Sequence, residues 1–253
     1  NGAAGTSGQI LTSAGTGAIP TWSPAGGFTG GTLTSNLTVA AGTTSLSPLT
    51  FQSGTNLTSA TAGAMEYDGK VIYSTPAARG VMPSMQYYRL NSNLAGSNVN
   101  TAQSVFGVGV TLSASTIYAI ESFFILQKTA GTTSHTISIG FGGTATINNI
   151  AYGIIWTRSD AALTASAMSQ FNPLHSFSTL ASAFVLSGSI TSAAETFVAK
   201  ISGTVSINAS GTFIPQYTLS AAPGGAYTTL AGSYIAIWPI GAAGANTSVG
   251  PWA

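Results

Sequence analysis

Glu66 and Asp68 are the only two carboxylates close together in this chain, two residues apart. On a strand that spacing turns both side chains to one face, and two acids held about 5–10 Å apart could cleave a glycosidic bond. The same residues also spell a hairpin. Asp68-Gly69 separates two strand-like arms within Ala64–Tyr73, the strongest short-range turn signal in the sequence. In that setting Asp68 serves the turn, and Glu66 faces Lys70 or Arg79 across the hairpin. The turn is the expected role, and no residue is assigned to catalysis.

Glu121 stands in Ile117-Tyr-Ala-Ile-Glu-Ser-Phe-Phe-Ile-Leu126, in phase with Ala119, Phe123 and Ile125. A carboxylate on an apolar strand face needs a partner. Lys200, in Phe197-Val-Ala-Lys-Ile201, and Arg158 are the candidates for a structural ion pair. Asp160 and Glu195 are isolated in sequence, and a short helix over 160–170 would be capped by Ser159 or Asp160. His135 and His175 lie forty residues apart, with no Ser-His-Asp order around them. Three copies of His135 around a threefold axis could hold a metal such as Zn²⁺, but its place after a polar loop points to a surface or loop-end role. Gly140-Phe-Gly-Gly143 lacks the lysine and the strand–helix setting of a phosphate loop and reads as a strand-end bend. No metal or cofactor is expected. The absence of cysteine removes thiolate chemistry and disulfides, and mildly favours folding in a reducing compartment.

The elements that must position these residues are built from an unusual composition. Of 253 residues, six are Lys or Arg and five are Asp or Glu, so 4% are charged, where about 25% is ordinary. A monomer of this size exposes roughly 10,000 Å², which leaves on the order of 900 Å² for each charge. Much of the surface must therefore be hydroxyl and amide, or be covered by other chains. A net charge of +1 gives no electrostatic footprint for nucleic acid. The mean hydropathy is +0.35, yet Ser, Thr and Gly interrupt every apolar run before it could span a membrane.

Residues 1–31 are Gly, Ala, Ser and Thr with few apolar anchors, and they read as an extended linker or shaft packed on partner chains. Residues 32–90 read as a short-stranded shaft and hairpin region, opening on the alternation Leu33, Ser35, Leu37, Val39. Beyond a boundary near Leu90, eight strand-like runs punctuated by Gly, Ser, Thr and Asn predict an antiparallel, jelly-roll-like β-sandwich over 91–253. Beginning at Asn1 with no leader, the sequence reads as part of something longer.

The segment Gly5-Thr-Ser-Gly-Gln-Ile-Leu-Thr-Ser-Ala-Gly-Thr-Gly-Ala-Ile-Pro-Thr-Trp22 resembles the linker of many bacteriophage fibre and virion structural proteins. So do Pro48–Phe51, Ala62–Gly69 and Tyr73–Arg79, in that order. Ser134–Thr144 and Gly232–Trp238 are similar to the knobs that end such fibres. The resemblance implies an all-β homotrimer with a thin shaft and a C-terminal β-knob. It would stand on the phage particle surface, be joined at its N-terminal side to other virion proteins, and attach to a host glycan or outer-membrane component. It names neither tail, neck nor head, and a connector fibre without a receptor is the alternative. A polysaccharide-degrading spike fits less well, for want of acids and of a long β-helix repeat. Recognition by an uncharged surface would use aromatic faces and amides, and the candidates are Asn148, Asn149, Trp156, Asn172, His175 and Tyr227.

Overall fold

The computed structural model describes residues 4–7, 9–24, 36–160, 173–244, 246 and 248–252. They divide into two compact units, Asn1–Thr50 and Phe51–Ala253. All regular structure among the described residues is antiparallel β-strand. The expected helix over 160–170 lies outside the described residues apart from Asp160, and so does the expected boundary at 31–32.

In the first unit β1 (Gln9–Thr12) pairs with β2 (Thr21–Pro24), setting Leu11 opposite Trp22. The strand expected over the Leu33–Val39 alternation is absent from its described part, and Leu46–Phe51 forms none either. Every residue from Asn36 to Thr55 is exposed, including Leu37 at 70% and Leu46 at 71%. A strand needs a ladder of neighbouring backbone for its N–H and C=O groups; among the described residues Gly54 N reaches Tyr67 O at 2.9 Å, but no ladder forms along this run.

The second unit begins with a three-stranded sheet, β3 (Met65–Tyr67), β4 (Ile72–Ser74) and β5 (Gly80–Met82). The expected hairpin forms, shifted by one residue. Its turn is Asp68–Val71, closed from Asp68 N to Val71 O, with Gly69 and Lys70 at the centre. Gly69 takes φ 88°, a backbone state open to glycine at no steric cost. Asp68 Oδ1 accepts from the backbone N–H groups of Lys70 and Val71, each at 2.8 Å. Lys70 Nζ donates to Ala114 O at 2.8 Å and ties this sheet to the loop around Ala114.

The rest folds as two sheets. The larger has eight strands: β6 (Gln86–Arg89), β7 (Leu94–Ala95), β10 (Thr116–Lys128), β12 (Thr146–Ser159), β13 (Leu174–Ser178), β15 (Glu195–Ala209), β17 (Thr228–Thr229) and β18 (Tyr234–Ala242). The order runs β13-β12-β15-β10, and the far edge of β10 is shared by β18, which carries β6, and by β17, which carries β7. The smaller sheet is β14 (Phe184–Val185), β11 (Ile137–Gly142) and β16 (Gly211–Leu219), with β8 (Gln103–Ser104) and β9 (Val110–Leu112) on the far edge of β16. Inward residues of both sheets make one core, in which Phe141 stacks on Phe213 at 4.6 Å and Trp156 on Phe197 at 5.7 Å.

A boundary near Leu90 is not found. Leu90 is buried in this core and β6 before it is a strand of the larger sheet, so the hairpin region belongs to the same unit. Of the eight expected runs, Ile117–Gln127, Thr136–Phe141, Ile147–Trp156, Phe197–Ile207, Phe213–Leu219 and Tyr234–Ile240 become strands close to these bounds, while Val105–Leu112 and Phe184–Ile190 are mostly loop.

Candidate functional site

Strand β10 has thirteen residues, so its ends lie about 40 Å apart. The Thr116 end adjoins Ala114 and through it the hairpin sheet. The Lys128 end carries the connecting loops 129–136, 186–194 and 220–227. Alternation along three neighbouring strands sends a charged residue inward at this end. Lys128 follows Phe124 and Leu126, Arg158 follows Ile154 and Trp156, and Glu195 precedes Phe197 and Ala199. Lys128 and Glu195 are direct cross-strand neighbours.

Glu195 is the centre of the resulting cluster and is fully buried. Arg158 Nε donates to its Oε1 at 2.5 Å, while Lys128 Nζ and His135 Nε2 face Oε2 at 3.8 and 3.5 Å. The cations also hold backbone. Lys128 Nζ donates to the carbonyls of Gly131 (2.9 Å) and Ser192, and Arg158 Nη1 to Gly188 O at 2.5 Å. His135 Nδ1 lies 2.7 Å from Thr133 O, which can only accept, so this nitrogen carries the proton. In the neutral ring Nε2 then accepts from the Tyr227 hydroxyl at 2.8 Å. Four charged or polar side chains thereby pin three loops from inside the domain. Burial lowers the Lys128 pKa, with Arg158 adding to the effect and Glu195 opposing it. Burial and then Glu195 drive the Tyr227 phenol well above its ordinary value.

Outward from this cluster the loops present Asn98, Asn100, Thr132, Thr133, Ser134 and Thr191, all exposed. They are tied to each other as well, since Gly224 N donates to Asn98 Oδ1 at 2.9 Å and Ser192 Oγ to Asp160 O at 2.8 Å. A rigid surface of hydroxyls and amides can bond neutral polar ligands without charge selection.

The expected site residues scatter. Glu121 is exposed on the outer face of the larger sheet, and no ion pair joins it to Lys200 or Arg158 among the described residues. The expected pairing is corrected to Arg158–Glu195, because Arg158 has inward phase and Glu121 outward phase. Tyr227 and Trp156 are buried in the core and present no contact surface. His135 is likewise buried, with both ring nitrogens engaged, which removes the surface role and any threefold metal site. Asn148 and Asn149 are exposed near the Thr146 end of β12, far from the loop cluster, and His175 is exposed on β13. Asn172 lies outside the described residues. Glu66 takes its hairpin role, since it pairs with Arg79 at 2.9 Å.

The Glu195 cluster went unrecognised because its members are far apart in sequence. The usable signal was strand phase: each continues an inward apolar series by one step. No protein-family model, curated protein or solved structure matches this chain, so the functional reading rests on its own residues.

Proposed function

We propose that this chain is a subunit of a bacteriophage virion fibre. Three copies would assemble, the two-sheet unit forming a jelly-roll-like β-sandwich knob and the preceding residues a shaft. The shaft side would join other virion proteins, and the knob would adhere to a glycan or outer-membrane component of the host.

The run Asn36–Thr55 carries this reading. Twenty consecutive residues are exposed and strandless, yet they include Leu37, Val39, Leu46, Leu49 and Phe51. Such a segment cannot bury enough apolar surface within one chain to offset its ordering entropy, and sister chains would supply both the cover and the missing strand edges. The pinned, uncharged loops at the Lys128 end suit adhesion to a sugar surface.

Sedimentation of the full chain, followed by binding to host cells, tests both parts. A mass of three chains with saturable binding to sensitive cells, lost on resistant ones, is the expected result. A monomer overturns the fibre reading. A trimer that ignores cells makes it a decoration or connector fibre, and release of oligosaccharide from envelope polymer would make it a degrading spike.

A further inference from the structure

The two sheets differ on the sides turned away from the core. The smaller sheet shows mainly Ser138, Thr212, Gln216, Thr218 and Thr111, with Ile214 and Val185 as its larger apolar residues. That is ordinary alternation for a surface in water. The larger sheet shows Phe123, Ile125, Ile155, Phe177, Tyr234 and Trp238 on its outer side. Phe177 is 84% exposed and Ile155 43%. Tyr87, Tyr234 and Phe123 form a row across three strands, with ring centroids 5.6 and 6.3 Å apart. In this row the next residues are Lys200, opposite Phe123, and Ile155, opposite Lys200.

This face carries three charges, Glu121 and Lys200 on the adjacent central strands and Arg89 on β6, opposite Tyr234. Diagonal neighbours such as Glu121 and Lys200 are about 7–8 Å apart, and within the chain these two make no ion pair. Six strands spaced about 4.8 Å apart and four rows of side chains give this face an area on the order of 700 Å². A stable protein–protein interface takes about 800 Å² from each partner.

We infer that the outer face of the larger sheet packs against a second copy of this chain, with Glu121 of one copy meeting Lys200 of another. The area is close to that of an interface, and on this largely apolar face the acid of one copy can meet the Lys200 of the next, with Arg89 at the β6 edge as a second base. The inference rests on the reading of the chain as an assembly of identical copies and names the face that joins them.

Sedimentation equilibrium of the full chain and its variants tests it, with far-UV circular dichroism to verify folding. Phe177→Asp, at a side chain too exposed to support the fold, and Glu121→Lys should each raise the dissociation midpoint at least 10-fold. Glu121→Lys combined with Lys200→Glu should return it to within about 3-fold of the original. Thr212→Asp, on the outer side of the smaller sheet, should leave it unchanged. An unaltered assembly in Phe177→Asp and Glu121→Lys overturns the inference and leaves the assembly reading standing. An original chain that stays monomeric at all concentrations overturns both. A monomer whose host-cell binding is lost in Phe177→Asp would make this face a receptor surface instead, and overturns the inference as well.

Discussion

Seven of the eleven charged residues fall in two groups at opposite ends of β10, and the groups solve the same problem in different solvents. At the hairpin, Arg79 grips Glu66 through Nε at 2.9 Å and Nη2 at 3.2 Å, both partly open to water, and Asp68 accepts from the Oη of buried Tyr73 at 2.8 Å. At the loop end, Lys128, Arg158 and Glu195 are enclosed by protein. In water an ion pair gains little because its separated members are well solvated. In the dry cluster the members have no such alternative, so the loss of one strands the others. Similar residues therefore close a turn at one end and hold the loops together at the other.

The largest effect should come from Glu195→Gln. It leaves Lys128 and Arg158 inside the domain with no counter-charge, and a loss of about 3–5 kcal/mol is expected in denaturant unfolding. Replacing the three charges with Met and Leu would not restore the balance as it does for a simple buried pair. Lys128 and Arg158 also bond the Gly131, Ser192 and Gly188 carbonyls, which would be orphaned. A triple variant as stable as the original would break the contrast between the two ends.

Next in size is Tyr227→Phe, which deletes the hydroxyl that bonds His135. One buried acceptor is left without its donor, and about 1–3 kcal/mol should be lost. Changes in the amide exchange of 129–136 and 220–227, rather than of the hairpin sheet, would show that the cluster acts on the loops.

Much of this was legible beforehand and some was not, for a reason visible in β10. Both of its faces are apolar, with Tyr118, Ile120, Phe124 and Leu126 in one phase and Ile117, Ala119, Phe123 and Ile125 in the other. Period two announces a strand but cannot say which phase faces in when both are greasy. Choosing the second phase made Glu121 look buried, and hid Lys128, which shares the first. Long strands such as β12 and β15 were readable from their own residues. Two-residue strands such as β7 and β17 exist only because a neighbour's edge is there to pair with, which no local pattern encodes. The Asp-Gly turn was readable because its chemistry is local; only its centre moved by one residue.

A smaller effect is expected at high pH, from phenols at both ends. Burial and then Asp68 push Tyr73 up to about 12, and burial pushes Tyr217 up to about 12. An unfolded tyrosine ionises near 10, so between roughly pH 10 and 12 the unfolded chain binds fewer protons than the folded one. Stability falls with rising pH across that window. Unfolding midpoints measured from pH 8 to 11 should show the fall, and Tyr73→Phe should make it shallower.

The smallest effect belongs to the wet end, and it separates a charge from a hydrogen bond. For Asp68, burial raises the pKa, but hydrogen bonds from Val71, Tyr73 and Lys70 outweigh it, and the net shift is downward. Glu66 is also held low, first by the Leu57 N–H, with Arg79 assisting against burial. A folded-state pKa below the unfolded value gives stability that is complete above the unfolded value of about 4 and is lost as pH falls through the folded one. Asp68→Asn keeps an oxygen to accept from the Lys70 and Val71 N–H groups, so the turn should survive at neutral pH. A melting shift of no more than about 2–4 °C is expected there. Below pH 4 the variant should lose less stability than the original chain, because one of the two carboxylates that must be protonated is gone. A large loss at pH 7 would mean that the hairpin depends on the Asp68 charge as strongly as the loop end depends on Glu195, and the distinction between wet and dry ends would fail.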